Sequence, residues 1–204
     1  MHIGLLTLAD LPAATDCMVA AFSEDPLAGA FFDDSPQGRT RSSASFFALL
    51  LEVRLALKMP ALVAKVDGVL AGVAMGYDTA REEWPADLKQ RWQDFEASHP
   101  GLAARFESYD SIAMAAQPDM PHYYLGVLSV SPAFQGRGIG KALVRAFLDL
   151  SDRDSRSQGT SLETATPSNL GFYRGLGFHT RFSGPLGAVQ LWCLFRPNPA
   201  AVSP

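Results

Sequence analysis

Apolar residues recur along the chain at two spacings, and these set the order of its elements. Ala61–Val66 and Val69–Tyr77 are short apolar runs on either side of Asp67-Gly68, the pattern of a two-residue hairpin. Gly72 and Gly76 inside the second run predict a bulge or the close approach of another backbone. Upstream, Ile3–Leu8 reads as a strand. Asp10, with Pro12 in the first turn, opens a helix through Phe22 whose buried stripe is Leu11, Ala14, Met18 and Ala21. Residues 23–38 hold two prolines, two glycines and Phe31-Phe32, and read as a loop or broken helix. Thr40–Lys58 is a strongly apolar helix stopped near Met59-Pro60.

Thr79–Pro121 is polar and helical in character, with Trp84, Trp92, Phe95, Phe106 and Tyr109 interleaved. It is expected to pack over the sheet and to bring its end near Tyr109–His122 towards a ligand. Leu125–Val130 is rich in branched apolar residues and is cut off by Ser131-Pro132. A loop with three glycines follows, then a helix whose apolar face is Ile139, Ala142, Leu143, Ala146, Phe147 and Leu150. A strand around Leu162, a short helix around Tyr173, two strands around His179–Phe182 and Ala188–Phe195, and a Pro-rich tail complete the chain. The order predicts one mixed α/β domain over residues 1–204, with helices on both faces of a twisted sheet and a helical insertion at about 79–121.

Composition narrows the class. With 48% hydrophobic and 19% charged residues in 204, the chain suits a compact soluble protein. A net charge of −4 without a basic run gives no electrostatic case for nucleic acid. The apolar run around Phe46–Leu57 is interrupted by Glu52 and Arg54 and is too short to cross a bilayer. With no signal-peptide pattern at Met1-His2-Ile3-Gly4, the expected location is the cytoplasm. Cys17 and Cys193 read as reduced, buried thiols, and four scattered histidines offer no metal-ligand spacing.

The loop Gln135-Gly136-Arg137-Gly138-Ile139-Gly140-Lys141 brings bare backbone N–H groups to the positive end of a helix, a setting for phosphate. A nucleoside-triphosphate loop is excluded, because Gly140-Lys141 is followed by Ala142 and the first glycine position holds Gln135. A dinucleotide fingerprint fails too, since counting from Gly136 ends on Lys141 and from Gly138 on Leu143.

Gln135, Gly138 and Gly140, directly after a strand ending Val130-Ser131-Pro132, resemble the Gln/Arg-x-x-Gly-x-Gly/Ala signature of the GNAT superfamily of acyl-CoA-dependent N-acetyltransferases. Asn169 after the Leu162 strand, with Tyr173-Arg174-Gly175-Leu176-Gly177-Phe178, resembles the family's second signature. The short gap from Asn169 to Tyr173, Leu162-Glu163-Thr164 before it and Trp192-Cys193 after it are similar to the puromycin N-acetyltransferase type. The likeness covers residues 122–196, and the first 80 by element order only. It implies a mostly antiparallel sheet in the GNAT acyl-CoA N-acyltransferase fold.

Function and site residues follow from that resemblance. Acetyl-CoA is the expected co-substrate, its pyrophosphate on the main chain of Gly136, Arg137, Gly138, Ile139, Gly140 and Lys141, with Arg137 adding charge. Gln135 either bonds the cofactor or caps the loop. Leu128 and Val130 would offer main-chain groups to the pantetheine arm, with Asn169 and Tyr173 beyond. Tyr173 is the expected acid for the departing thiolate. Glu163 is a candidate base, directly or through water; His122 is another, with Glu107 and Asp110 more remote. The expected acceptor is a small-molecule primary amine, attacked without an acyl-enzyme, and the protein a monomer or homodimer. A protein or peptide N-acetyltransferase and a non-catalytic acyl-CoA-binding regulatory module are the alternatives.

Overall fold

The computed structural model describes residues 1–199. The end of the Pro-rich tail lies outside the described residues. Seven strands form one sheet: β1 (His2–Leu5), β2 (Ala61–Val66), β3 (Val69–Tyr77), β4 (Tyr123–Val130), β5 (Gly159–Thr164), β6 (His179–Leu186) and β7 (Val189–Pro197). They run in the order β1-β2-β3-β4-β5-β7-β6, antiparallel throughout except for the β4–β5 pair. The helices are α1 (Leu11–Ala21), α2 (Pro26–Phe32), α3 (Arg39–Ala56), α4 (Ala86–Ala97), α5 (Leu102–Ala116), α6 (Ile139–Arg153) and α7 (Asn169–Arg174). This is the mixed, mostly antiparallel sheet with helices on both faces expected from the sequence.

Alternation, reset in β3 by a bulge opposite Ala64-Lys65 that leaves Ala71 unpaired with β2, sorts the sheet residues between two cores. Leu62, Ala64, Ala71, Ala74 and Leu125 pack under α6 through Ile139, Leu143, Val144 and Phe147. Ala61, Val63, Leu70, Val73 and Met75 face the other way, onto Ala14, Cys17 and Met18 of α1 and Phe47 and Leu51 of α3. The hairpin falls where it was expected, with Asp67 at φ 50° and Gly68 at φ 81°.

Two local expectations differ from the structure, and a third, the loop or broken helix at 23–38, resolves to its second alternative. The first strand ends at Leu5 and not Leu8, because Thr7 starts a short 3-10 turn over Leu8–Asp10. Asp10 sits at the N-cap of α1 but turns its carboxylate back, accepting from Thr7 N at 3.1 Å and Thr7 Oγ1 at 2.7 Å and pairing with Lys65 at 2.6 Å. Residues 26–32 close into a helix, since Asp25 Oδ1 accepts from the N–H groups of Leu27 and Ala28, each at 2.9 Å.

Candidate active site

The sheet opens at its centre. β4 and β5 pair only at Tyr123↔Thr160 and Tyr124↔Ser161. β3 holds β4 as far as Val130, and β7 holds β5 as far as Thr164, so the two strands part beyond Tyr124. Ser131 N donates to Ala71 O of β3 at 2.9 Å. Strand alternation therefore turns the main-chain groups of Ser129 towards β3 and those of Leu128 and Val130 into the gap. Gly76 stands at a register shift, and a Cβ there would fall 1.7 Å from Tyr124 O. This is the close backbone approach anticipated for that glycine.

At the mouth of the gap lies the glycine loop. Gly136 and Gly138 have φ of 76° and 77°, with nothing within 4 Å of where a Cβ would stand. The N–H groups of residues 136–141 have no protein acceptor among the described residues, and those at the start of α6 have none inside the helix. Gln135 Nε2 donates to Val130 O at 3.2 Å and so braces the loop against β4. Arg137 Nη2 donates to Ala133 O at 3.2 Å, with the guanidinium 5.2 Å above the Phe134 ring. Ile139 buries its side chain in the core, leaving only its main chain to the loop, while Lys141 is exposed. Asn169 Nδ2 reaches Thr164 Oγ1 at 3.5 Å, tying α7 to the end of β5.

Beside β4 is a cavity of about 570 Å³. α2 and α3 wall it with Phe31, Phe32, Phe46 and Phe47, and Trp84, Trp92, Phe106 and Tyr109 of the 79–121 segment close it over. Phe31 and Phe32 are thus buried residues that also line a pocket. Asp25, Glu83, Glu96 and Asp110 make much of its boundary acidic, and Tyr77, Tyr124, Gly126 and Val127 form the end against the sheet.

At that end three groups bond in series. Tyr109 Oη donates to Glu163 Oε2 at 3.2 Å and lies 3.0 Å from Tyr124 Oη. With the Tyr109 proton committed to the carboxylate, Tyr124 donates to Tyr109 and keeps a lone pair free. Burial raises the Glu163 pKa to about 7, with the two phenols opposing the shift. Burial likewise pushes Tyr109 and Tyr124 well above the usual phenol range, so both stay protonated.

Tyr173 is 7% exposed and packs edge-on against Phe172 and Phe178. Its hydroxyl makes no hydrogen bond among the described residues and is not among the sealed, unpartnered atoms. Burial, and then Asp25, raise its pKa, which keeps the proton on. His122 stands at the closed end of the gap, its Nδ1 2.7 Å from Met120 O, and burial lowers its pKa. Glu107 is exposed, and Asp110 lines the cavity. Cys17 and Cys193 are free and buried. Among the described residues no cluster of His, Cys, Asp and Glu suits a metal ion, and no helix is long and apolar enough to cross a membrane.

Residues 104–180, from α5 through α7, match the family model described as acetyltransferase (GNAT) domain. That stretch is similar to a GNAT acetyltransferase domain, and the fold of the chain is the GNAT fold. Solved structures agree on the fold. A Corynebacterium glutamicum protein described as histone acetyltransferase HPA2 and related acetyltransferase superposes with a TM-score of 0.74 at 22% identity, over 98% of each chain. The ribosomal-protein-S18-alanine N-acetyltransferase of Escherichia coli gives 0.56 at 15% identity, over 100% of this chain and 97% of its own. A GNAT family acetyltransferase from Brucella melitensis, solved with acetyl-CoA, gives 0.50 at 20% identity, over 100% and 88%.

Three residues of the candidate site were not singled out from the sequence. Tyr124 lies one residue before the expected strand start at Leu125. Tyr77 closes an apolar strand, and Arg54 looked like an interruption of an apolar helix. Arg54 left a usable signal: a charge among the apolar residues of the last turns of a helix must be met by something in the fold.

Proposed function

We propose that this protein transfers an acetyl group from acetyl-CoA to a primary amine of a small molecule held in the aromatic cavity. The observation that carries the proposal is the Tyr124–Tyr109–Glu163 series at the sheet end of that cavity, beside the parted strands β4 and β5. The glycine loop suits a diphosphate, with two positive-φ glycines, open space where side chains would stand and unpaired N–H groups at a helix start. The gap-facing main chain of Leu128 and Val130 suits an amide-rich arm.

Bound acetyl-CoA supplies an acyl thioester, and the protein manages two protons around it. The free lone pair of Tyr124 accepts a proton from the attacking amine, Tyr124 passes its own to Tyr109, and Tyr109 passes its own to Glu163. Tyr173, protonated and with an unpartnered hydroxyl, gives a proton to the departing thiolate. No serine or cysteine nucleophile enters the scheme, and Cys193 is pushed up to about 12 by burial and by Glu163, far from thiolate at neutral pH.

The names of two structural relatives keep a second reading in view, acetylation of a protein or peptide. A peptide needs an open groove, whereas α4 and α5 roof the cavity here, which favours a small acceptor. A screen of small amines and peptides with acetyl-CoA, read by thiol release, separates the two. Tyr173→Phe should keep CoA binding and lose about a hundredfold or more in turnover. CoA binding without thiol release from any acceptor would instead indicate a regulatory acyl-CoA-binding module.

A further inference from the structure

Two cations line the acceptor cavity, the exposed Lys89 and the buried Arg54, and the acetyl-transfer chemistry leaves the buried one unused. Arg54, in the last turn of α3, is 3% exposed and lines the cavity where it meets the sheet. Its guanidinium carbon lies 4.0 Å over the Tyr77 ring, and that ring stacks on Tyr124 at 6.0 Å between centroids. Nε and Nη1 are sealed from solvent with no hydrogen-bond partner, and no acidic side chain among the described residues pairs with the group. Nη2 is not among the sealed, unpartnered atoms, and the Tyr77 phenol is the one polar side chain that bonds to the group. A ring face, that phenol and the negative end of a helix offset part of the cost of burying this charge, but none of them is an anion.

An arginine kept buried and unpaired inside a ligand cavity is an incomplete site. We propose that the acceptor carries a carboxylate, bound by Arg54, on an aromatic or bulky apolar body: an aromatic amino carboxylate. This deepens the proposed amine acetylation and rests on it for the role of the amino group. Tyr77 links the two poles, with Arg54 over its ring and Tyr124, the first member of the proton relay, stacked on it. An amine at Tyr124 and a carboxylate at Arg54 therefore belong to one compact end of the ligand. The remaining boundary favours that end for the anion, since Asp25, Glu83, Glu96 and Asp110 outnumber its one other cation, the solvent-exposed Lys89. The Arg81 guanidinium lies 5.3 Å from the centroid of the same Tyr77 ring and adds positive potential, but of the two only Arg54 lines the cavity. One guanidinium with two sealed nitrogens matches a monoanion better than a phosphate dianion, which would call for more donors.

The binding test needs no turnover. Trp84 and Trp92 line the cavity, so their fluorescence reports occupancy. 3-Phenylpropionate and its neutral counterpart 3-phenylpropionamide are titrated into the full chain at pH 7.5. The carboxylate should bind about tenfold or more tightly than the amide, as a charge-assisted pair implies. In Arg54→Met the ratio should fall to about one, with circular dichroism checking the fold. Equal affinities in the wild type, no response to either compound, or a ratio that survives in a folded Arg54→Met overturns the proposal. The wild-type comparison decides even if the variant does not fold. Thiol release with phenylalanine and with phenethylamine forms a separate arm. Carboxylate-selective binding without thiol release from any amine would leave Arg54 as an anion site and remove the acetyltransferase reading. Release from phenethylamine without any preference for the carboxylate would do the reverse.

Discussion

A carboxyl group that titrates near neutrality can serve as a base at physiological pH, and Glu163 is held in that range by burial against two phenols that partly compensate. Acting as a base, it must be ionised, so kcat/KM should fall as pH drops through about 7. Glu163→Gln should remove that limb and cut turnover by about a hundredfold, while CoA binding measured by calorimetry is retained. The same shift has a consequence for stability. The folded pKa lies above the unfolded value, so the group favours the folded state fully below about 4.5 and loses that contribution as pH rises through about 7. Denaturant melts should therefore show Glu163→Gln gaining up to about 3 kcal/mol on the wild type at pH 8 and little at pH 4. Glu163 and Tyr173 were singled out as candidates from their places beside sequence signatures. The partners that give Glu163 its chemistry were not, because Tyr109 and Tyr124 are 15 residues apart and meet only through the packing of α5 on the sheet.

At the scale of elements, local patterns were readable wherever one periodicity dominated. The Asp67-Gly68 hairpin and the apolar face of α6 came through with their boundaries nearly intact, because turn chemistry and helical spacing act within a few residues. The end of β1 and the role of Asp10 did not, since a contact with Lys65 on a neighbouring strand decides where that carboxylate points. The shape of the cavity was equally hidden: it depends on how α2, α3, α4 and α5 meet, and residues 23–38 read only as a loop or broken helix, with no bounds for the helical part. Two substitutions separate binding from architecture. Phe147 on α6 is fully buried, and Phe147→Ala should cost about 3–5 kcal/mol in a denaturant melt. Gly138→Val should place a branched side chain in the open space of the loop, at a φ that costs about 1–3 kcal/mol for a residue with a Cβ. Calorimetry should then find CoA binding lost while circular dichroism finds the fold retained; unchanged CoA affinity would remove the loop from the site.

For the whole molecule, the parted strands make the sheet two pieces joined at its centre by two residue pairs and by the core under α6. A ligand lodged between β4 and β5 bonds to groups that the free protein leaves to water, so occupancy should be visible as stability and as amide protection. At a CoA concentration about a hundredfold over its Kd the folded state gains about 2.7 kcal/mol. For a chain of this length that is a rise in Tm of about 5–10 °C, which Gly138→Val should abolish. Hydrogen exchange localises the effect. Without ligand, the N–H groups of Leu128 and Val130 face the gap and should exchange faster than that of Ser131, which donates to Ala71 O of β3. With CoA their exchange should slow by about tenfold or more while Ser131 changes little, a pattern that follows from strand alternation at this one opening. Protection spread evenly over β4, or confined to the glycine loop, would mean that the ligand stays outside the gap, and the proton relay ending at Glu163 would then stand away from any thioester.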